Sequence, residues 1–442
     1  MISETSAPAV MQTGPSLVRA VSRWQIVGLA VNDVIGSGVY LLPAAAAALL
    51  GYASIWAVIG AGFAVALLVL CFAEASSYFD QPGGAYLYTR EAFGDFVGFE
   101  VGWMTWLARV ASVASLSAGL SLATSYLWPP AAEGWQRVAV ISIPLLILTW
   151  INVVGVKPGA RVAVTFSVAK SLPLVFFVLT GLFFVDWSSL AVTQAPPSGN
   201  FGEAALLLLF AYAGFENTPA AAGEYKNPRR DVPFALLTMI LGVTLLYSLV
   251  QIVALGTLPN VAESATPLAE SATLSLGAWA GVVMAVGGMI SIAGNVGNTT
   301  LVGPRYVYAL ARDGFGPRAL SRIQPTFRTP ATAIITQTTL ALILALSGSF
   351  VALAMLSIIA RLATYIGTVA ALPILRKRFA HRENAVRLPG GLLIPGAAFI
   401  VCLIFIASAT LNNLIAGATA LLVGSILYKL RRAPSLEGTE PA

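Results

Sequence analysis

The sequence predicts an all-α polytopic membrane protein of twelve transmembrane helices. Three observations predict it: an apolar composition, a regular series of apolar segments, and positive charge confined to alternate connections. Of the 442 residues, 57% are hydrophobic and 10% charged, against roughly 25% charged in a typical soluble domain. Mean hydropathy is +0.83. Each segment approaches the ~20 residues that a helix needs to cross about 30 Å of hydrocarbon.

In chain order the segments run near 24 to 50, 54 to 79, 96 to 127, 138 to 156, 162 to 185 and 202 to 223. They continue near 233 to 258, 277 to 311, 331 to 347, 350 to 374, 392 to 410 and 413 to 430. The first and sixth contain Gly, Pro and acidic residues. The third, fifth and tenth carry the cations Arg109, Lys170 and Arg361.

Positive residues test this count, because cytoplasmic loops collect Lys and Arg. With the N-terminus inside, the inner connections hold Arg19 and Arg23, then Arg90, then Lys157 and Arg161, then Lys226, Arg229 and Arg230. Further along they hold Arg305, Arg312, Arg318, Arg322 and Arg328, then Arg376, Lys377, Arg378, Arg382 and Arg387, then Lys429, Arg431 and Arg432. The outer connections hold only Arg137 among cations, beside Glu133, Asp186, Glu203, Glu263 and Glu270. Both termini are expected to be cytoplasmic, in a multi-pass protein of the cell membrane. The net charge of +6 reflects this topology and gives no reason to expect a nucleic-acid partner.

Other classes find little support. Cys71 and Cys402 lie in apolar helices, and the single His381 sits in a basic loop, so neither a disulfide framework nor a metal site is expected. No phosphate-cradling GxxxxGK[ST] occurs. The polar N-terminal tail has no apolar core of its own and does not read as a cleavable signal. An enzyme would need a convergent nucleophile, base or metal cluster, and the sequence offers none. No cofactor is expected. A nutrient receptor of this kind would add a large soluble domain, whereas these loops are short.

Two spans are interrupted. VNDVIGSGVYLLP (Val31 to Pro43) and AYAGFENTP (Ala211 to Pro219) place Gly and Pro where a lipid-embedded helix should be continuous. An unsatisfied backbone group in hydrocarbon costs several kcal/mol, so such breaks must line something other than lipid. Pro43 follows Gly38 by five residues, as Pro219 follows Gly214. The two spans are five apart, an odd offset, so the two halves have opposite orientation. Paired interruptions in matching positions point to a transporter site at the midplane. Unwinding at Gly36, Ser37 and Gly38 frees N–H groups at the positive end of the second half-helix, a place for a carboxylate. Glycine there avoids a Cβ that would block both unusual dihedrals and the ligand's approach. Carbonyls freed near Tyr212 to Phe215, around Gly214, would take an ammonium group.

IGSGVYLLP, FAYAGFENTPAAAGEYKNPRRDVP and ARDGFGP resemble the amino acid, polyamine and organocation (APC) transporters, over Trp24 to the tenth span. The resemblance implies a LeuT-type fold: two inverted five-helix repeats with discontinuous helices 1 and 6, plus two extra C-terminal helices. The repeats would occupy 24–190 and 191–375, followed by a basic cytoplasmic loop at 376–391 and the last two helices at 392–430. Tails cover 1–23 and 431–442. It also implies alternating access without ATP, with Ile35, Ser37, Gly38, Phe210, Ala213 and Phe215 around the substrate. Phe210 would be an occluding gate, or alternatively a packing aromatic.

Intramembrane charges are functional candidates by default. Lys170 lies nine residues past Arg161, about 13 Å along a helix and so near the midplane. By the resemblance, its ammonium would replace a sodium ion and tether the fifth helix to the broken first one. It is either a fixed strut or a carrier of the coupled proton. Glu216 falls where some relatives carry a proton-sensing acid; otherwise it is a static partner of Arg109 or Arg361. Glu224 reads as an inner gate or loop anchor. Asp33 and Arg109 depart from the common pattern. They either pair with each other or pull substrate preference in opposite directions. Ser291 and Asn295 either complete a polar shell around Lys170 or serve helix packing.

The leading expectation is a secondary active amino acid transporter, proton-coupled or an exchanger. A polyamine or organic-cation carrier is the alternative, favoured if Asp33 and Glu216 are both unpaired in the pocket. Oligomeric state is left open.

Overall fold

The computed structural model describes residues 21–79, 83–155, 160–190, 198–382 and 385–430. Arg19, Lys157, the 431–442 tail and the side chains of Arg161 and Glu224 lie outside the described residues. The chain is an all-α polytopic membrane protein. Its helices are α1 (Arg23–Val34), α2 (Ser37–Leu50), α3 (Ser54–Ser77), α4 (Gly84–Phe93), α5 (Asp95–Ser125), α6 (Gly134–Val154), α7 (Ala160–Gly181) and α8 (Ser198–Tyr212). They continue with α9 (Pro228–Thr257), α10 (Pro267–Leu276), α11 (Ala278–Arg312), α12 (Ala331–Ser347), α13 (Phe350–Arg378), α14 (Leu393–Ala407) and α15 (Leu411–Lys429).

Span one is the pair α1 and α2, and span six is α8 followed by 3₁₀ turns over Phe215–Glu224. The other ten spans each contain one of α3, α5, α6, α7, α9 and α11 to α15. The short helices α4 and α10 fall between spans. Among the described residues, seven helical stretches are long and apolar enough to cross a membrane, and three further apolar helices are shorter. The two interrupted spans explain part of the shortfall, since a break divides one crossing into two short pieces.

Helix α5 is the centre of the bundle. It is buried along nearly its whole length and packs against α11, α12 and α13, while α3 packs against α9. Such all-round burial explains why its apolar and small residues, with Ser112, Ser115 and Ser117 among them, show no polar face. Helix α15 sits at the periphery, with only Gly424 buried.

Polar ties fix the ends of the bundle. Fully buried Glu74 accepts two bonds from Arg376, at 2.6 and 2.7 Å, one from the Tyr78 hydroxyl at 2.9 Å and one from the Leu388 N–H at 3.1 Å. One carboxylate thereby joins α3, α13 and the loop after α13, so part of the basic loop is structural. At α1, Arg23 pairs with Asp231 at the start of α9 at 2.9 Å, and the Lys226 N–H donates to the Val21 carbonyl at 3.1 Å.

Candidate functional site

The first break is short. Helix α1 stops at Val34, Ile35 is extended (φ −72°, ψ 104°), and Gly36 (φ −138°, ψ −138°) precedes α2. Neither φ is left-handed, though the Gly36 ψ lies outside the extended region. Contact adds its own demand for glycine: a Cβ on Gly36 would meet the Asn295 amide, and one on Gly38 would lie 2.6 Å from Ala211 Cα. Helix α2 therefore touches α8 backbone to backbone. In the second break Gly214 does adopt a left-handed conformation, φ +130°, and a Cβ there would lie 2.6 Å from the Asp33 carbonyl oxygen. The chain then continues as 3₁₀ turns with Pro219 inside, not as a second α-helix.

The two breaks thus lie against each other. Tyr247 of α9 bridges them: its hydroxyl lies 3.2 Å from the Val34 carbonyl and 3.1 Å from the Ala211 carbonyl. Tyr247→Phe is expected to destabilise the protein by about 1–2 kcal/mol, because two buried acceptors lose a donor they share. Thermal unfolding in detergent reads the change, and an unaltered midpoint would mean that the bridge carries nothing.

Lys170 caps the broken end of α1. Its ammonium donates to the Asn32 and Ile35 carbonyls, each at 2.5 Å. A cation there meets the carbonyls that no later turn satisfies and the negative end of the helix dipole. The Tyr40 hydroxyl of α2 returns to the Lys170 carbonyl at 3.3 Å, so α7 is tied to both sides of the break.

Between the breaks lies a small cavity of about 30 Å³, room for about one water. Gly36, Ser37 and Gly38 line it from the start of α2, and Phe210, Ala213 and Gly214 from the end of α8. Asp33 and Arg109 also face it. Phe210 meets Phe350 edge to face at 6.0 Å between ring centroids. Two residues expected around the cavity do not line it. The Ile35 side chain is buried in the core; its carbonyl accepts from Lys170 and its N–H donates to the Val31 carbonyl. Phe215 points away, stacked on Tyr365 at 5.3 Å and edge-on to Phe72 at 5.3 Å.

Charged groups converge at the cavity wall. Glu216 accepts from Arg109 Nη2 at 3.0 Å and forms an ion pair with Arg361 Nη1. Its other oxygen accepts the Gly214 N–H at 2.9 Å. Arg109 also bonds the Asn217 side chain, and Arg361 donates to Ser112 Oγ at 2.7 Å. Asp33 takes a bond from the Asn298 amide. Among the described residues Asp33 and Arg109 form no direct ion pair, yet they share the cavity closely enough for their charges to attract. Asn295 donates to the Asp33 carbonyl at 3.3 Å, while Ser291 Oγ is buried with no partner among the described residues. Among the described residues, the bonds of the Lys170 ammonium go to the Asn32 and Ile35 carbonyls and to neither of these side chains.

The cavity also includes Val34, Ser112, Leu116, Asn217 and Thr299, which sequence reasoning passed over. Helical spacing could have found three of them. Ser112 follows Arg109 by three, Asn217 follows Gly214 by three, and Thr299 follows Asn295 by four and donates to it at 3.3 Å, the offsets that share a helix face.

A helical membrane protein with two abutting helix breaks around a buried polar cavity belongs to the class of permeases, not enzymes. An amino acid permease family profile matches residues 21–423, and the chain belongs to that family within the APC superfamily. It is similar to the serine/threonine exchanger SteT of Bacillus subtilis (strain 168), 31% identical over 409 residues, covering 90% of this chain and 92% of the relative. The branched-chain amino acid permease BcaP of the same organism is 27% identical over 94% of this chain and 93% of its own. The methylthioribose transporter of that organism is 28% identical over 94% of each.

Proposed function

We propose that this permease is a secondary active amino acid transporter that works by alternating access, with uptake coupled to a proton or to efflux of another amino acid. The observation that carries the reading is the shared cavity: the N-terminus of α2 and the C-terminus of α8 both open into it. The first presents N–H donors to a carboxylate and the second presents carbonyls to an ammonium, the two charged groups of any α-amino acid. Asp33, Gly36, Ser37, Gly38, Arg109, Phe210, Ala213 and Gly214 then contact substrate. The exchanger name of one relative supports an exchange mode, and the thiosugar name of another shows that kinship alone does not choose the cargo. A polyamine carrier needs unpaired acids in the pocket, and Glu216 is paired twice. The Lys and Arg distribution supports cytoplasmic termini.

Alternating access requires the broken helices to move against α5, α7 and α11. Lys170 ties α7 to α1, so its bonds to the Asn32 and Ile35 carbonyls must change for that movement to occur. Lys170→Ala is expected to abolish accumulation driven by a pH gradient in proteoliposomes while exchange persists; unchanged accumulation would leave Lys170 as a strut. The whole reading is tested by thermal shift of purified protein against amino acids, amines and polyamines, since a ligand stabilises the state it binds. Stabilisation by polyamines and not by amino acids would overturn it.

A further inference from the structure

We infer that the substrate is an acidic amino acid, aspartate or glutamate, whose side-chain carboxylate is read by Arg109. The inference rests on the two helix breaks holding the backbone carboxylate and ammonium. Among the described residues, Arg109, Arg361 and Asp33 line this cavity, Glu216 pairs with both arginines, and Lys170 stands behind the wall within electrostatic reach of Asp33. Three cations thus face two carboxylates. Removing Lys170 and Asp33 together leaves the same excess, two arginines against Glu216. A buried charge without a counter-charge is strongly unfavourable. A zwitterion with a neutral side chain would not remove the excess, whereas an acidic amino acid brings one further negative charge.

Geometry says where that charge sits. Arg109 is 3% exposed, and its Nη2 serves Glu216 and Asn217, yet its Nε–H finds no partner among the described residues. Ser37 Oγ, 1% exposed on the same cavity, is likewise unpartnered. A guanidinium N–H in a dry wall is a strong donor for a carboxylate. Asp33 does not fill this role: among the described residues it makes no hydrogen bond or ion pair with Arg109, and its carboxylate is held by the Asn298 and Asn217 side chains. The opposing pulls of Asp33 and Arg109 are thereby resolved: Asp33 is held by amides, and the arginine keeps a free donor.

The test compares L-glutamate with L-glutamine, which differ in side-chain charge at nearly equal size, as competitors in uptake or counterflow by the wild-type protein in proteoliposomes. Glutamate is expected to win by at least about tenfold, because a site built around a charged partner rejects the neutral analogue. Arg109→Gln should bring the two within about twofold while serine and leucine are unaffected relative to each other. Equal competition by glutamate and glutamine in the wild type, or a preference for serine or leucine, overturns the acidic assignment and leaves the amino acid reading standing. Competition by amines alone overturns both. The wild-type comparison decides even where Arg109→Gln does not fold.

Discussion

Glu216→Ala is expected to lower the stability of the purified protein by about 3–5 kcal/mol, because removing one partner of a buried ion pair strands the other. Here two guanidiniums are stranded. Arg109 and Arg361 are 3% and 4% exposed, and both lose the carboxylate that they share. The Gly214 N–H loses its acceptor as well, two residues past the end of α8. Glu216→Gln keeps one acceptor oxygen, for that N–H or for the arginines but not for both, so its loss should be smaller. Adding Arg361→Leu to Glu216→Ala should recover part of the stability by removing one stranded charge. Thermal or detergent-induced unfolding reads all three. A loss below about 1 kcal/mol for Glu216→Ala would mean that water reaches the cluster and solvates the arginines.

The cluster also shows where sequence reading stops. The membrane class and the two breaks were legible because hydrophobic length and Gly/Pro interruption are local signals, and the pairing of the breaks was visible in their spacing, whereas the approach of Gly214 to the Asp33 carbonyl was not. Lys170 stood out because an isolated cation in hydrocarbon is expensive. The choice for Glu216 between sensor and static partner was not legible: its partners sit on α5 and α13, far along the chain, and no spacing rule relates three helices. Helices α4 and α10 went unseen because ten-residue helices with mixed faces fall below a window sized for a full crossing. The 3₁₀ turns after Gly214 were equally hidden, since a broken span does not disclose how its second half winds. Most instructive is Gly38. Its requirement reads as ligand access in the sequence, yet the nearest obstacle to a Cβ is the backbone of α8.

That obstacle sharpens what substitution at Gly38 should do. Gly38→Leu is expected to reduce uptake to background, because a Cβ 2.6 Å from Ala211 Cα meets a backbone atom that cannot rotate aside, and α2 must move away from α8. Loss of uptake alone would not separate a blocked carboxylate site from a displaced helix. Gly36 makes the separation possible, since a Cβ there meets the Asn295 side chain alone and no backbone, so relief costs the Asn295 bonds to Asp33 and Thr299 and no shift of a helix. Gly36→Ala should therefore retain most of the thermal stability while losing most of the stabilisation that an amino acid ligand confers. Gly38→Ala should lose both together, since helix contact and ligand site share that atom position. Full ligand-induced stabilisation in Gly36→Ala would remove the start of α2 from the carboxylate site, and undiminished uptake by Gly38→Leu would show that α2 and α8 do not need their contact for transport.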